Sequence, residues 1–152
     1  SVVAGRGRRR DQWRRHRSVG FRVAVPPLRR RARYAASASG GERWQYSYEP
    51  WGRQVYNLDF DADGRVIRAE QVMNEALFAQ RIQAGTWTRD DVLREYGPPA
   101  QVMGTRNFKG DIWVWRYENG PFPRFLYVDI APDGVVQGYT LGDEYLDPPD
   151  WR

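Results

Sequence analysis

Hydrophobic and polar residues alternate along much of this chain. Trp44, Tyr46 and Tyr48 interleave with Arg43, Gln45, Ser47 and Glu49, the period of two that marks a strand with one buried face. Tyr56, Leu58 and Phe60 share a face in the same way, as do Leu126, Val128 and Ile130. Phe108 to Tyr117, Arg124 to Ile130 and Val135 to Leu141 read as three antiparallel strands. The pattern predicts Trp44, Trp113 and Trp115 in the core. Helical spacing appears between these blocks. Thr88 to Pro99 reads TRDDVLREYGPP. Thr88 and Asp91 have capping-box spacing, and Asp90 and Asp91 place negative charge in the first turn. Val92, Leu93 and Tyr96 form an apolar face. Gly97 then Pro98-Pro99 end the helix. Upstream, Asn74 is predicted to cap a helix through Phe78 and Ile82 that ends near Gly85.

The pattern also repeats. Trp44-Gln45-Tyr46-Ser47-Tyr48-Glu49 matches Trp113-Val114-Trp115-Arg116-Tyr117-Glu118 at an offset of 69. Asp59 to Val66 matches Asp129 to Val136 at an offset of 70. Two stretches aligning in order indicate a duplication. Each copy is expected to be an antiparallel meander whose apolar face is covered by helix.

The order of short capped helix, Gly-x-Pro stop and Trp/Tyr-rich strands resembles the SmpA/OmlA family. That family of small outer-membrane lipoprotein domains includes the BamE subunit of the β-barrel assembly machinery. The matching residues are Gly85-Thr86-Trp87-Thr88, Asp91-Val92, Gly97-Pro98-Pro99, Trp113 to Tyr117 and Pro132-Asp133-Gly134. The tandem is more distantly similar to the β-lactamase inhibitor protein fold. The resemblance implies a BamE-like domain of the cell envelope, in the periplasm or at the outer membrane. It implies protein binding or scaffolding in outer-membrane assembly or integrity.

Charge divides the chain. Residues 1–40 hold twelve Arg against one Asp, a net +11; residues 41–152 hold twelve Lys/Arg against eighteen Asp/Glu, a net −6. The arm has little periodicity and reads as disordered. It also lacks the helix that the repeat calls for, so residues 1 to about 33 read like a shifted frame of GC-rich DNA rather than evolved domain sequence. Its Arg8, Arg9, Arg10, Arg14 and Arg15 are candidate phosphate contacts, with Trp13 available for stacking, the basis of an alternative nucleic-acid-binding reading. The chain has no Cys, so disulfides, thiolate metal sites and a lipobox Cys are absent from it. No run reaches membrane-spanning length, and no signal-peptide pattern appears.

Candidate chemistry is sparse. Asp59, Asp61, Asp63 and Glu70, with Gly64, fit the EF-hand loop pattern. Strand-like flanks, and the replacement of these acids by Ala131 and Pro132 in the second copy, favour a hairpin turn. The single His lies in the arm, so no His-dependent triad can form in the body. Asp90–Asp91 and Asp143–Glu144 are explained by capping and solvation. The expectation is therefore a non-enzyme with no cofactor, no metal and no small-molecule substrate, acting on a protein partner. Trp51, Phe122, Arg124 and Tyr127 are the candidate partner contacts.

The combined expectation is an α+β chain. Residues 1–40 form a disordered basic arm and 41–73 a partial first repeat. Residues 74–142 form a complete repeat and 143–152 an extended tail. Each repeat carries a three-stranded meander, and a helix pair packs on the second.

Overall fold

A computed structural model describes residues 30–35 and 40–144. The Arg-rich candidates Arg8 to Arg15 and the tail from Tyr145 onward lie outside the described residues. The described chain is mostly β. Its strands are β1 (Arg30–Ala35), β2 (Glu42–Ser47), β3 (Val55–Phe60), β4 (Val66–Gln71), β5 (Gln101–Thr105), β6 (Phe108–Asn119), β7 (Phe122–Ile130) and β8 (Val136–Asp143). Two helices, α1 (Glu75–Arg81) and α2 (Arg89–Tyr96), lie between β4 and β5. The strands form two antiparallel sheets of four, ordered β1-β2-β3-β4 and β5-β6-β7-β8.

This corrects the three-stranded meanders and the α+β balance expected from sequence. Each sheet gains an edge strand with only a short alternation, which in β1 sets exposed Arg31 and Arg33 against half-buried Ala32 and Tyr34. β1, RRARYA, falls within the stretch assigned to the basic arm. The duplication extends to these edge strands. Ala32 faces Gln45 and Arg33 faces Trp44, while Gln101 faces Val114 and Val102 faces Trp113, the same register at the same offset of 69. Trp44↔Leu58 and Leu58↔Ala69 recur as Trp113↔Val128 and Val128↔Tyr139. Both sheets shift register at the equivalent point, Asp59/Phe60 and Asp129/Ile130.

The turns match as well. Asp61 N–H donates to Arg65 O, and Gly64 N–H to Asp61 O; Ala131 N–H donates to Val135 O, and Gly134 N–H to Ala131 O. Gly64 and Gly134 take φ of 81° and 89°, a conformation that glycine adopts without steric cost.

Local signals place the helices. Asn74 Oδ1 accepts from Leu77 N–H at 3.0 Å and starts α1. The Asp91 carboxylate accepts from Thr88 N–H at 2.8 Å and starts α2. Gly97 ends α2, with its N–H donating to Leu93 O. Phe78, Val92 and Tyr96 pack against Trp115, Tyr117, Leu126, Val128 and Ile130 of the second sheet. Gly85 to Arg89 runs along the start of β8, through Gly85 N–H to Val136 O, Val136 N–H to Trp87 O and Arg89 N–H to Gly134 O.

The helices are not confined to the second sheet. The last carbonyls of an α-helix have no partner within it, and here the first sheet supplies the donors. Gln45 Nε2 reaches Leu93 O and Arg94 O, both at 3.1 Å. An Arg43 guanidinium nitrogen donates to Arg94 O at 3.0 Å, and Asn57 Nδ2 to Glu95 O at 2.8 Å. The first sheet therefore turns its polar face inward. Gln45, Ser47, Glu49 and Asn57 are buried, while Trp44, Tyr46 and Tyr48 lie half-buried on the opposite face. The sequence expectation that Trp44 is core is corrected on this ground. Trp115 is core and Trp113 packs against it.

Candidate binding site

The outer face of the second sheet carries Ile112, Val114, Arg116, Phe125 and Tyr127, which alternate with the core residues of β6 and β7. The loop after β2 lies against it. Arg116 N–H donates to Glu49 Oε2 at 3.3 Å, and the Arg116 guanidinium donates to Pro50 O at 3.1 Å and to Glu144 Oε1 at 2.8 Å. Arg53 meets the other Glu144 oxygen at 2.9 Å. Glu144, shared by two guanidiniums, is held below the usual carboxylate range by their hydrogen bonds and charge, which outweigh its partial desolvation.

Glu49 is different. It is 3% exposed, and its Oε1 has no hydrogen-bond partner. Desolvation pushes its pKa up to about 8 despite Arg116 and Arg53 nearby. A neutral carboxyl thus sits beneath the loop that carries Trp51.

Pro50, Trp51, Ala100, Gln101, Val114, Arg116 and Phe125 enclose a groove of about 350 Å³. Trp51 is 62% exposed at its rim. The groove is largely apolar with one guanidinium, a surface suited to an apolar or aromatic side chain next to a polar backbone group.

The repeat gives this face a meaning. At the offsets of 69 and 70, Gln101, Val114, Arg116 and Phe125 correspond to Ala32, Gln45, Ser47 and Val55. Those four positions belong to the first-sheet face that holds the end of α2. The groove is thus the second copy of a docking face.

The four sequence candidates divide. Trp51 borders the groove. Tyr127 lies on the same sheet face, its ring 5.9 Å from Phe125. Phe122 is 61% exposed at the start of β7, next to the β6–β7 turn. Arg124 points to the other side of the sheet, 3.4 Å from Glu75 and 3.3 Å from Asp143. Phe125 and Val114 were missed because their face was read as the polar one. The repeat itself could have found them, since Val114 stands where Gln45 does.

The acidic loop holds no assembled metal site. Asp59 is bound bidentately by Arg43 at 2.6 and 3.0 Å. Asp61 Oδ1 accepts from Asp63 N–H and Arg65 N–H within the turn. Glu70 pairs with Arg81 at 2.6 Å. Among the described residues no group of three or more His, Cys, Asp or Glu side chains comes together around one point. No helix among them is long and apolar enough to cross a membrane.

Comparison with known families finds no family model that matches, and no curated protein matches either. Among solved structures, the chain is similar to the crystal structure of a DUF4309 family protein, YjgB, from Bacillus subtilis. The identity is 14% over 71% of this chain and 67% of that one, with a TM-score of 0.34.

Proposed function

We propose that this chain is a non-enzymatic binding protein of the cell envelope, holding another protein at the groove beside Trp51. The observation that carries the reading is the equivalence of the groove to the face that holds α2. One copy of the face is filled by a helix end from within the chain, and the other is partly covered by the loop after β2, which buries Val114 and leaves the groove beside Trp51. The grooved copy has exchanged the donors Gln45 and Asn57 for Val114 and Tyr127. It would therefore take an apolar side chain rather than a row of helix carbonyls. Trp51 at the rim has the size and chemistry of an interface anchor. The envelope setting, in outer-membrane assembly or integrity, rests on the SmpA/OmlA-like motifs.

Fractionation of the source cells, probed with an antibody against residues 41–152, tests the setting. Recovery with the outer membrane or periplasm is the expected result. Cytosolic recovery, released from nucleic acid by salt, would transfer the function to the Arg-rich arm. Crosslinking through a photoreactive residue at position 51 tests the groove. A specific partner adduct that is lost in Phe125→Ala, while the variant stays folded, is expected.

A further inference from the structure

The other face of the first sheet is the larger anomaly. It displays Trp44, Tyr46, Tyr48, Tyr56, Leu58 and Phe60, ordered by ring contacts such as Trp44–Phe60 at 4.8 Å and Tyr48–Tyr56 at 6.1 Å. Trp44 Nε1–H donates to Glu42 Oε1 at 2.7 Å, so its polar atom is satisfied along the sheet. Tyr56 is 42% exposed, Val66 55% and Ile67 62%. Such a contiguous apolar face is uncommon on a free surface. Its end is concave, a hollow of about 330 Å³ lined by Glu42, Trp44, Phe60 and the β3–β4 turn.

Register identifies what this face is built to meet. Trp44, Tyr46 and Tyr48 correspond to Trp113, Trp115 and Tyr117, and Tyr56, Leu58 and Phe60 to Leu126, Val128 and Ile130. All six counterparts in the second sheet pack in or against the core that α1 and α2 complete. The first copy has kept the core-type residues at every equivalent position. We propose that the aromatic face of the first sheet is a docking surface for an amphipathic two-helix segment with acidic flanks, supplied by a partner protein.

Charge selects this occupant over two others. Arg31 and Arg33 of β1 stand on the face, over the rings of Tyr46 and Trp44 at 5.9 and 4.5 Å. Their equivalents in the second copy are Ala100 and Val102. Acidic flanks on the incoming helices would meet these guanidiniums. The chain's own residues 1–29 are strongly basic and would repel them, and the stretch equivalent to α1 and α2, residues 5–28, lacks a capped apolar helix pattern. A second copy docking face to face would bring Arg31 and Arg33 of both chains into one interface, adding like charge with no acid to meet it.

A chimera tests the proposal. Residues 5–28 of the full chain are replaced by a second copy of residues 74–97, keeping the spacing to the edge strand that the repeat dictates. The Trp44 indole is followed by NMR and by acrylamide quenching. Severalfold protection of Trp44 and a higher thermal midpoint are expected, and both should vanish in a Tyr56→Asp chimera. A Trp44 as accessible as in the unaltered chain overturns the proposal. Should the chimera not fold, a synthetic 73–99 peptide extended by Glu residues at both ends, which supply the acidic flanks, is titrated into the unaltered chain. Shifts at Trp44 and Tyr56 that weaken with salt in the wild type are expected, and their absence overturns the proposal. Two further results would also overturn it. If deleting residues 1–29 alone exposes Trp44, the arm is the occupant. If Trp44 protection in the unaltered chain rises with protein concentration, the occupant is a second copy. The groove reading is separable, because Trp51 and Phe125 are untouched by every variant.

Discussion

The two sheets are built on one register and bury opposite faces. In the second, Trp113, Trp115 and Tyr117 turn toward the helices and Val114 and Arg116 away. In the first, the equivalents Trp44, Tyr46 and Tyr48 turn away from α2, Gln45 and Ser47 turn toward its end, and Glu49 is buried against Arg116 of the second sheet. A backbone register therefore does not by itself decide which face is inside. The decision comes from what each sheet is offered. The second meets the apolar flanks of two helices, and the first meets a helix end with bare carbonyls. Amide and guanidinium side chains suit the latter, because a buried acceptor left unmatched costs about 1–3 kcal/mol.

The contrast can be tested by equivalent substitutions. The largest separation is expected for Trp115→Ala against Tyr46→Ala. Losing the buried indole should cost about 3–5 kcal/mol, and losing the half-buried phenol about 1 kcal/mol or less. Urea denaturation measures both. Equal costs would mean that the first sheet's aromatic face is covered as fully as the second's.

The carboxyls Glu49 and Glu118 occupy equivalent positions, one buried and one exposed. The Glu49 pKa is raised by desolvation from 4.5 to about 8. The folded state therefore holds a proton that the unfolded chain gives up. This contribution is complete below pH 4.5 and is lost as pH rises to about 8, a span of up to about 5 kcal/mol. Thermal melts across that range should show the decline in the wild type and in Glu118→Gln. In Glu49→Gln it should be flattened.

Gln45→Leu sharpens the comparison by its sign. On a sheet face packed against apolar helix, a Gln to Leu change would stabilise. Here it removes the Gln45 amide from Leu93 O and Arg94 O, which keep Gly97 N–H and Arg43 as donors, so a loss of about 0.5–1.5 kcal/mol is expected. A gain in chemical denaturation would show that water replaces the amide. Trp51→Ala should be the smallest effect, within about 0.5 kcal/mol of wild type, because the side chain is mostly exposed.

Much of this architecture was legible. The caps of α1 and α2, the Gly97 stop, both Asp-Gly turns and the duplication stood in the sequence. The edge strand β1 did not, since its short alternation of Arg31 and Arg33 with Ala32 and Tyr34 lies inside an Arg-rich stretch that reads as an arm. The inward face of the first sheet was also hidden. Alternation separates Trp44 from Gln45 but carries no sign. The sign was set by α2, some fifty residues away. Of the candidate site, the exposed Trp51 was visible from its place in a turn. Phe125 and Val114 could be found only once the polar face of one copy was known to be a docking surface.

The double anchoring of α2 has a consequence for unfolding. Its side, through Val92 and Tyr96, belongs to the hydrophobic core of the second sheet, and its carbonyl end belongs to the first. Tandem repeats joined only by apolar contact can open one at a time. Here, separating the sheets would uncap the helix, and fraying the helix would open the core. The two copies should therefore melt as a single cooperative unit, with matching transitions at the Trp115 and Trp44 indoles.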